Sequence, residues 1–252
     1  MSEPQGFARE IVSDKRNQRD PVAQALMFAI AFVVVTALVG LLYALLGGFI
    51  GSSSPRTLAE SQIVSLQNAS VTNPKSGAAR QAYILALEET GQHGAAWREY
   101  MSAIKQLTGM EKTQVYAAGV TLLFDKKDYN GAIALAKEAI ASDDAFRKAV
   151  IADGAKQDAV ITNAQFNQTA RIAILLTSAR ASGASKDWNS AVNKLTDALV
   201  LDPMGSDLLV FRASAYAHRG QKDKAIADYK TSLKYIPDYA PALKGLKELQ
   251  GK

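Results

Sequence analysis

The sequence predicts an all-α fold, a helix-turn-helix solenoid preceded by one transmembrane helix. Two observations carry this reading. In the C-terminal half, Ala191 and Ala225, Leu195 and Tyr229, and Pro203 and Pro237 are each 34 residues apart, the spacing of a repeated helical pair. Near the N-terminus, residues 23–50 are almost wholly apolar and carry no charge. No strand pattern is evident in either region.

Composition bounds what such a chain does. Of its 252 residues, 48% are hydrophobic and 21% charged, the balance of a folded protein. The absence of cysteine excludes a disulfide framework and any thiolate metal site. The net charge of +5 comes from scattered lysines and arginines. A nucleic-acid surface needs a basic stripe interleaved with aromatics, so nucleic acid is not an expected partner.

Taken in order, residues 1–22 form a short tail carrying Arg9, Lys15, Arg16 and Arg19. Residues 23–50 are long enough to span a bilayer core, which takes about 20 apolar residues. The basic residues precede the span and Arg56 alone follows closely, so the tail is expected in the cytoplasm and the rest outside it. A cleaved signal has an apolar core of only about 7–15 residues, which favours a retained anchor. Residues 51–76 form a membrane-proximal linker and a half-repeat helix. Ser52-Ser53-Ser54-Pro55 ends the span, Thr57 and Glu60 have capping-box spacing, and Ile63, Leu66, Ala69 and Pro74 follow as a lone second helix.

Residues 77–237 hold the repeats. Leu87, Gly91, Ala96, Tyr100 and Ala103 mark the first, over 77–108. Tyr116, Leu123, Ala132, Ala136 and Ala139 mark the second, over about 113–144, with turn residues at Asp128-Tyr129-Asn130-Gly131 and Asp144 where proline often stands. The period then fails, because Ala132 and Ala191 are 59 residues apart. An insertion at about 145–168 holds the excess. Phe146, Val150 and Ile151 suggest a short helix in it, leaving an additional helix, a degenerate repeat or a projecting loop as readings. Repeats three and four occupy about 172–203 and 206–237, and residues 238–252 form an amphipathic cap, with Ala242 or Leu243, Leu246 and Leu249 facing the last repeat.

The run Ala213, Tyr216, Gly220, Ala225, Tyr229 and Pro237, with its 34-residue echo upstream, resembles the tetratricopeptide repeat (TPR) family. The resemblance covers roughly residues 58–250. It implies a right-handed superhelix of helix pairs whose first helices line a concave groove for extended peptides or partner helices. By position, that groove would include Gln81, Leu85, Gln114, Thr121, Phe124, Arg180, Phe211 and Ser214. Some family members clamp a chaperone's terminal carboxylate with lysine and asparagine. The matching positions here, among them Gln114, Ala118, Thr121, Asp125, Ala173, Thr177 and Arg180, lack that set, so such tails are not expected ligands. A single anchor followed by an extracytoplasmic TPR domain is also similar to bacterial envelope assembly factors and translocon-associated chaperones, an analogy of architecture only.

No motif points to catalysis. His93 and His218 lie in different repeats without metal-ligand spacing. Glu88-Glu89 and Asp143-Asp144 are neighbours that cannot face each other on a helix. There is no Gly-x-Ser-x-Gly and no phosphate loop after a strand. Asn68-Ala69-Ser70 and Asn167-Gln168-Thr169 are glycosylation sequons that matter only in a secretory pathway. The chain is therefore expected to be a non-enzymatic adaptor or scaffold without cofactor or metal. It would bind a protein partner, itself a membrane or envelope protein, at the outer face of a bacterial cytoplasmic membrane and contact the bilayer through residues 23–50. The competing expectation is a permanent structural subunit held through that span and the insertion. Oligomeric state is not expressed in the sequence. The repeat frame makes one direct prediction: Ala225→Leu overpacks a helix–helix contact and costs about 1–3 kcal/mol in denaturant unfolding, and wild-type stability would refute the frame.

Overall fold

A computed structural model describes residues 58–156 and 167–251. The expected tail at 1–22, the apolar span at 23–50 and Thr57 of the capping box lie outside the described residues. Ten helices occur among the described residues, and no strand. They are α1 (Leu58–Thr72), α2 (Gly77–Glu89), α3 (His93–Gln106), α4 (Gly109–Asp125) and α5 (Tyr129–Lys156). After these come α6 (Gln168–Ala184), α7 (Trp188–Leu201), α8 (Ser206–His218), α9 (Lys222–Tyr235) and α10 (Ala240–Gln250). None of them is long and apolar enough to cross a membrane.

The packing order follows from where small residues fall. Each helix packs on the next, and the even-numbered helices also touch one another in series, α2 on α4, α4 on α6, α6 on α8 and α8 on α10. The result is a continuous inner row of even helices backed by odd ones. Close approach rests on alanines with no exposed surface, among them Ala96, Ala132, Ala198, Ala213 and Ala225, and on two glycines. A Cβ on Gly119 of α4 would stand 2.3 Å from Cε2 of the buried Tyr100, and one on Gly245 of α10 would stand 2.2 Å from Tyr229 Cζ. In the terminal helix, Ala242 is the inward residue and Leu243 is 47% exposed. Leu246 and Leu249 pack on the cluster of Ala213, Ala225 and Tyr229.

Four even-to-odd turns share one geometry, in which a left-handed residue closes the even helix. Gly91 and Gly220 hold that position twice, at φ 76° and 73°. Lys127 and Lys186 hold it in the other two, at φ 61° and 63°, a conformation uncommon for residues with a Cβ. This corrects the turn expected at residues 128–131. The turn is made by Lys126 and Lys127, and Asp128 caps α5 by accepting the Gly131 amide at 2.9 Å. Tyr129, Asn130 and Gly131 are already helical.

The second difference concerns residues 145–156. They do not form a separate short helix, because α5 runs unbroken from Tyr129 to Lys156. No proline stops it at Asp144, and around that point it is tied on two sides. Phe146 lies over Gly109, where a Cβ would meet the ring at 2.9 Å. Asp143, 1% exposed, accepts from Thr113 Oγ1 (3.2 Å), Arg147 Nε (2.6 Å) and Arg171 Nη1 (2.6 Å), so α4, α5 and α6 meet at one carboxylate. Burial disfavours the Arg171 cation, but the hydrogen bonds it donates to Asp143 and Asp144, with their negative charge, outweigh it and raise its pKa. Asn167, of the second sequon, caps α6 by accepting the Ala170 amide at 2.9 Å. Residues 157–166, within the insertion expected at about 145–168, lie outside the described residues.

The glycine contact supplies a test of this packing. Gly119→Ala drives a methyl group into the Tyr100 ring, so unfolding should become easier by about 1–3 kcal/mol. An unchanged denaturation midpoint would mean that α3 and α4 are not this close.

Candidate functional site

The even-helix row positions the groove candidates. Gln81 and Leu85 lie on α2, Gln114, Thr121 and Phe124 on α4, Arg180 on α6, and Phe211 and Ser214 on α8. Four of the eight converge. The Arg180 guanidinium carbon sits 4.6 Å from the Phe124 ring centre and 5.6 Å from that of Phe211, so a cation on α6 bridges two aromatic faces, one from α4 and one from α8. Such contacts contribute roughly 0.5–1 kcal/mol each where exposed. Phe124, Arg180, Phe211 and Ser214 share a pocket of about 310 Å³, whose lining also includes Gly183, Trp188 and nearby alanines.

The other four do not join it. Leu85 packs into the cluster around Ile84 and Leu87. Gln114 is turned between helices, its Oε1 buried and facing Gly77, where a Cβ would approach it to 2.7 Å. Thr121 donates back to Ala117 O at 3.0 Å, leaving no free hydroxyl proton for a ligand. Gln81 is half-buried on α2, away from the pocket lining.

Trp188 and His218 are the residues that sequence reasoning missed or undervalued. Trp188 opens α7 and lines the pocket wall. Its ring fits because residue 183 is glycine, and a Cβ there would lie 2.9 Å from Trp188 Cζ3. His218 stacks on it with ring centres 4.0 Å apart and planes 7° from parallel. The available signal was Gly183 five residues before Trp188 across a turn. The thirty-residue separation of Trp188 and His218 hid their stacking.

The pocket has an acidic shoulder. Glu88 takes His93 Nδ1 at 2.8 Å with one oxygen, and its Oε2 is buried without a partner. Burial raises the pKa of Asp125, beside Phe124, and the negative charge of Glu88 raises it further, while Arg180 pulls it down. The ends of α2, α4 and α6 thus place two carboxylates and one guanidinium in each other's field. Among the described residues no group of three potential ligands is placed to hold a metal ion.

No protein-family profile and no curated protein sequence matches the chain. Solved structures do. BtubC (BKLC) from P. vanneervenii superposes with a TM-score of 0.60 at 13% identity, over 77% of this chain and 84% of that one. The first TPR of Spaghetti (RPAP3), solved with the HSP90 peptide SRMEEVD, matches at 16% identity over 57% of this chain and 94% of its own, with a TM-score of 0.45. YrrB, a TPR protein with an unusual peptide-binding site, matches at 16% identity over 72% and 97%, with a TM-score of 0.29. The fold is a TPR-like solenoid. At these identities the likeness concerns the fold alone. Folds of this kind generally mediate protein–protein contacts as adaptors or scaffolds and are typically non-enzymatic.

The field between Arg180 and Asp125 is open to measurement. Removing the cation in Arg180→Ala should raise the Asp125 pKa further, read from its side-chain carboxyl carbon in an NMR titration. An unmoved titration would mean that the two groups do not share one site.

Proposed function

We propose that the chain is a non-enzymatic, membrane-anchored TPR-type adaptor. It binds a protein segment at the extracytoplasmic face of a bacterial cytoplasmic membrane. The observation that carries the binding reading is the Phe124–Arg180–Phe211 bridge over an apolar pocket of about 310 Å³. Interface energy concentrates in aromatic and arginine side chains that are already held in place. Here Arg180 is positioned by two rings, so little side-chain entropy is lost when a partner's carboxylate or carbonyl meets its free edge. The pocket beneath takes an apolar side chain of the same segment, and Ser214 offers a hydroxyl at the rim.

The membrane part of the proposal is supported by the uncharged run at 23–50 and by the basic residues that precede it. With the N-terminus in the cytoplasm, the solenoid stands outside and close to the bilayer. Tethering then acts through concentration. A groove confined to the membrane surface meets membrane partners as an intramolecular event, which raises occupancy without any new contact.

The experiment is crosslinking of the tagged full chain in its native membrane, followed by identification of what copurifies. Wild type is compared with Phe124→Ala/Arg180→Ala/Phe211→Ala, whose folding is checked by circular dichroism. The adaptor reading expects the partner to be lost from the variant, and Arg180→Ala alone to weaken binding by about 2 kcal/mol, roughly thirtyfold. Partners retained in fixed ratio would overturn it in favour of a subunit held through residues 23–50 or the insertion.

A further inference from the structure

A second cavity lies away from the groove candidates, where α5, α6 and α7 meet. It measures about 240 Å³, and Ile133, Ala136, Ile140, Ile174 and Leu175 form its apolar wall. Three polar side chains complete the lining, Ser178, Lys137 and Lys194. Ser178 is 1% exposed, and its Oγ has no hydrogen-bond partner. A buried hydroxyl left in that state has lost its water without a replacement partner, so a native one needs an explanation. Neither lysine takes part in any ion pair among the described residues. Lys194 is half-buried even so. Burial lowers its pKa, and the more distant charges of Asp187 and Asp197 do not offset the loss.

The polar groups are gathered at one end. Arg171 on α6 meets Asp143 and Asp144 on α5. Two turns later on α6, Ser178 shares the cavity with Ala136 and Lys137, which stand two turns earlier on α5. The α5 and α6 helices therefore run antiparallel with Ser178 and Lys137 at one level, and Lys194, six residues into α7 as Ser178 is six residues from the end of α6, joins them in the lining. Ile140, Ile174 and Leu175 lie nearer the Asp143 level. The cavity is apolar toward the Asp143 level and carries its cations and hydroxyl farther along, where Ile133 is the further apolar residue.

We infer that this cavity binds a small amphiphilic carboxylate, with its aliphatic tail against Ile140, Ile174 and Leu175 and its carboxylate between Lys194 and Lys137. Its volume is about eight times that of a liquid water molecule, roughly 30 Å³, which leaves room for about eight heavy atoms, the size of hexanoate. The carboxylate gives Lys194 a counter-charge in direct contact, which the more distant Asp187 and Asp197 do not supply, and Ser178 gains an acceptor for its proton. The proposal is independent of the groove, since the two pockets share no lining residue.

The test is calorimetric titration of the full chain in lipid nanodiscs, with empty nanodiscs as the blank and hexanoate as the probe. Saturable hexanoate binding is expected, with hexylammonium and hexanol each at least about tenfold weaker. Lys194→Gln should weaken hexanoate by about tenfold, roughly 1.4 kcal/mol. Lys230→Gln, a charge loss on α9, should leave it unchanged. No saturable binding, equal binding of the three probes, or equal losses in the two lysine variants would each overturn the proposal. Acetyl-Ala-Leu displacing hexanoate with tenfold higher affinity would assign the cavity to a chain terminus and overturn the choice of a free acid.

Discussion

One buried carboxylate sets the geometry on which the rest of the solenoid depends. Asp143 receives Thr113 from α4, Arg147 from its own helix and Arg171 from α6. A carboxylate that is 1% exposed has lost its water, and that loss is tolerable only because donors and positive charges replace it. Such a node is intolerant of partial loss. Removing one partner of a buried pair typically costs about 3–5 kcal/mol, because the other is left uncompensated. The node stands where the 34-residue period breaks, and it performs the task that proline-ended repeats give to a tight turn. Instead of stopping at residue 144, α5 continues to Lys156, and its extension is strapped to α4 by Phe146 and to α6 by two carboxylates.

The groove follows from that register. Repeat solenoids hold together through nearest-neighbour contacts, so an error at one interface displaces everything beyond it. With α4 and α6 locked at Asp143, their opposite ends bring Phe124 beside Arg180, and the α6–α8 contact adds Phe211. The proposed recognition surface is thus built from residues in three repeats, none of which makes the pocket alone. Gly183 then decides how deep the pocket is, because it lets Trp188 lie flat against α6 and leave space above its ring.

Much of the helix pairing was legible in the sequence, since alanine and tyrosine recur at fixed spacing and small residues mark close approaches. Its errors have physical causes. Asp128 to Gly131 looked like a turn because those residues favour turns, yet lysine takes the left-handed position one residue earlier and Asp128 serves as a cap. The end expected for α5 was wrong because a buried ion cluster, which no local pattern reveals, holds the helix together past Asp144. Within the site, Phe124, Arg180, Phe211 and Ser214 were suggested by their place on the inward faces of three successive even helices, where Arg180 and Ser214 stand 34 residues apart and Phe211 lies one turn before Ser214. Gln114 and Thr121 share that frame, but Gln114 turns toward Gly77 and Thr121 bonds to its own helix. Rotamer choice of this kind follows from neighbours that single-repeat spacing does not specify.

The chain has two tryptophans, and they fall on either side of the node, Trp97 on α3 and Trp188 on α7. Each half therefore reports on itself in the variants Trp188→Phe and Trp97→Phe. Denaturant unfolding followed by tryptophan emission in both backgrounds tests whether Asp143 couples the halves. Coincident transitions with Asp143 present, separating into two midpoints in Asp143→Ala, are the expected result. Transitions that remain coincident without Asp143, or that are already separate with it, would contradict the account.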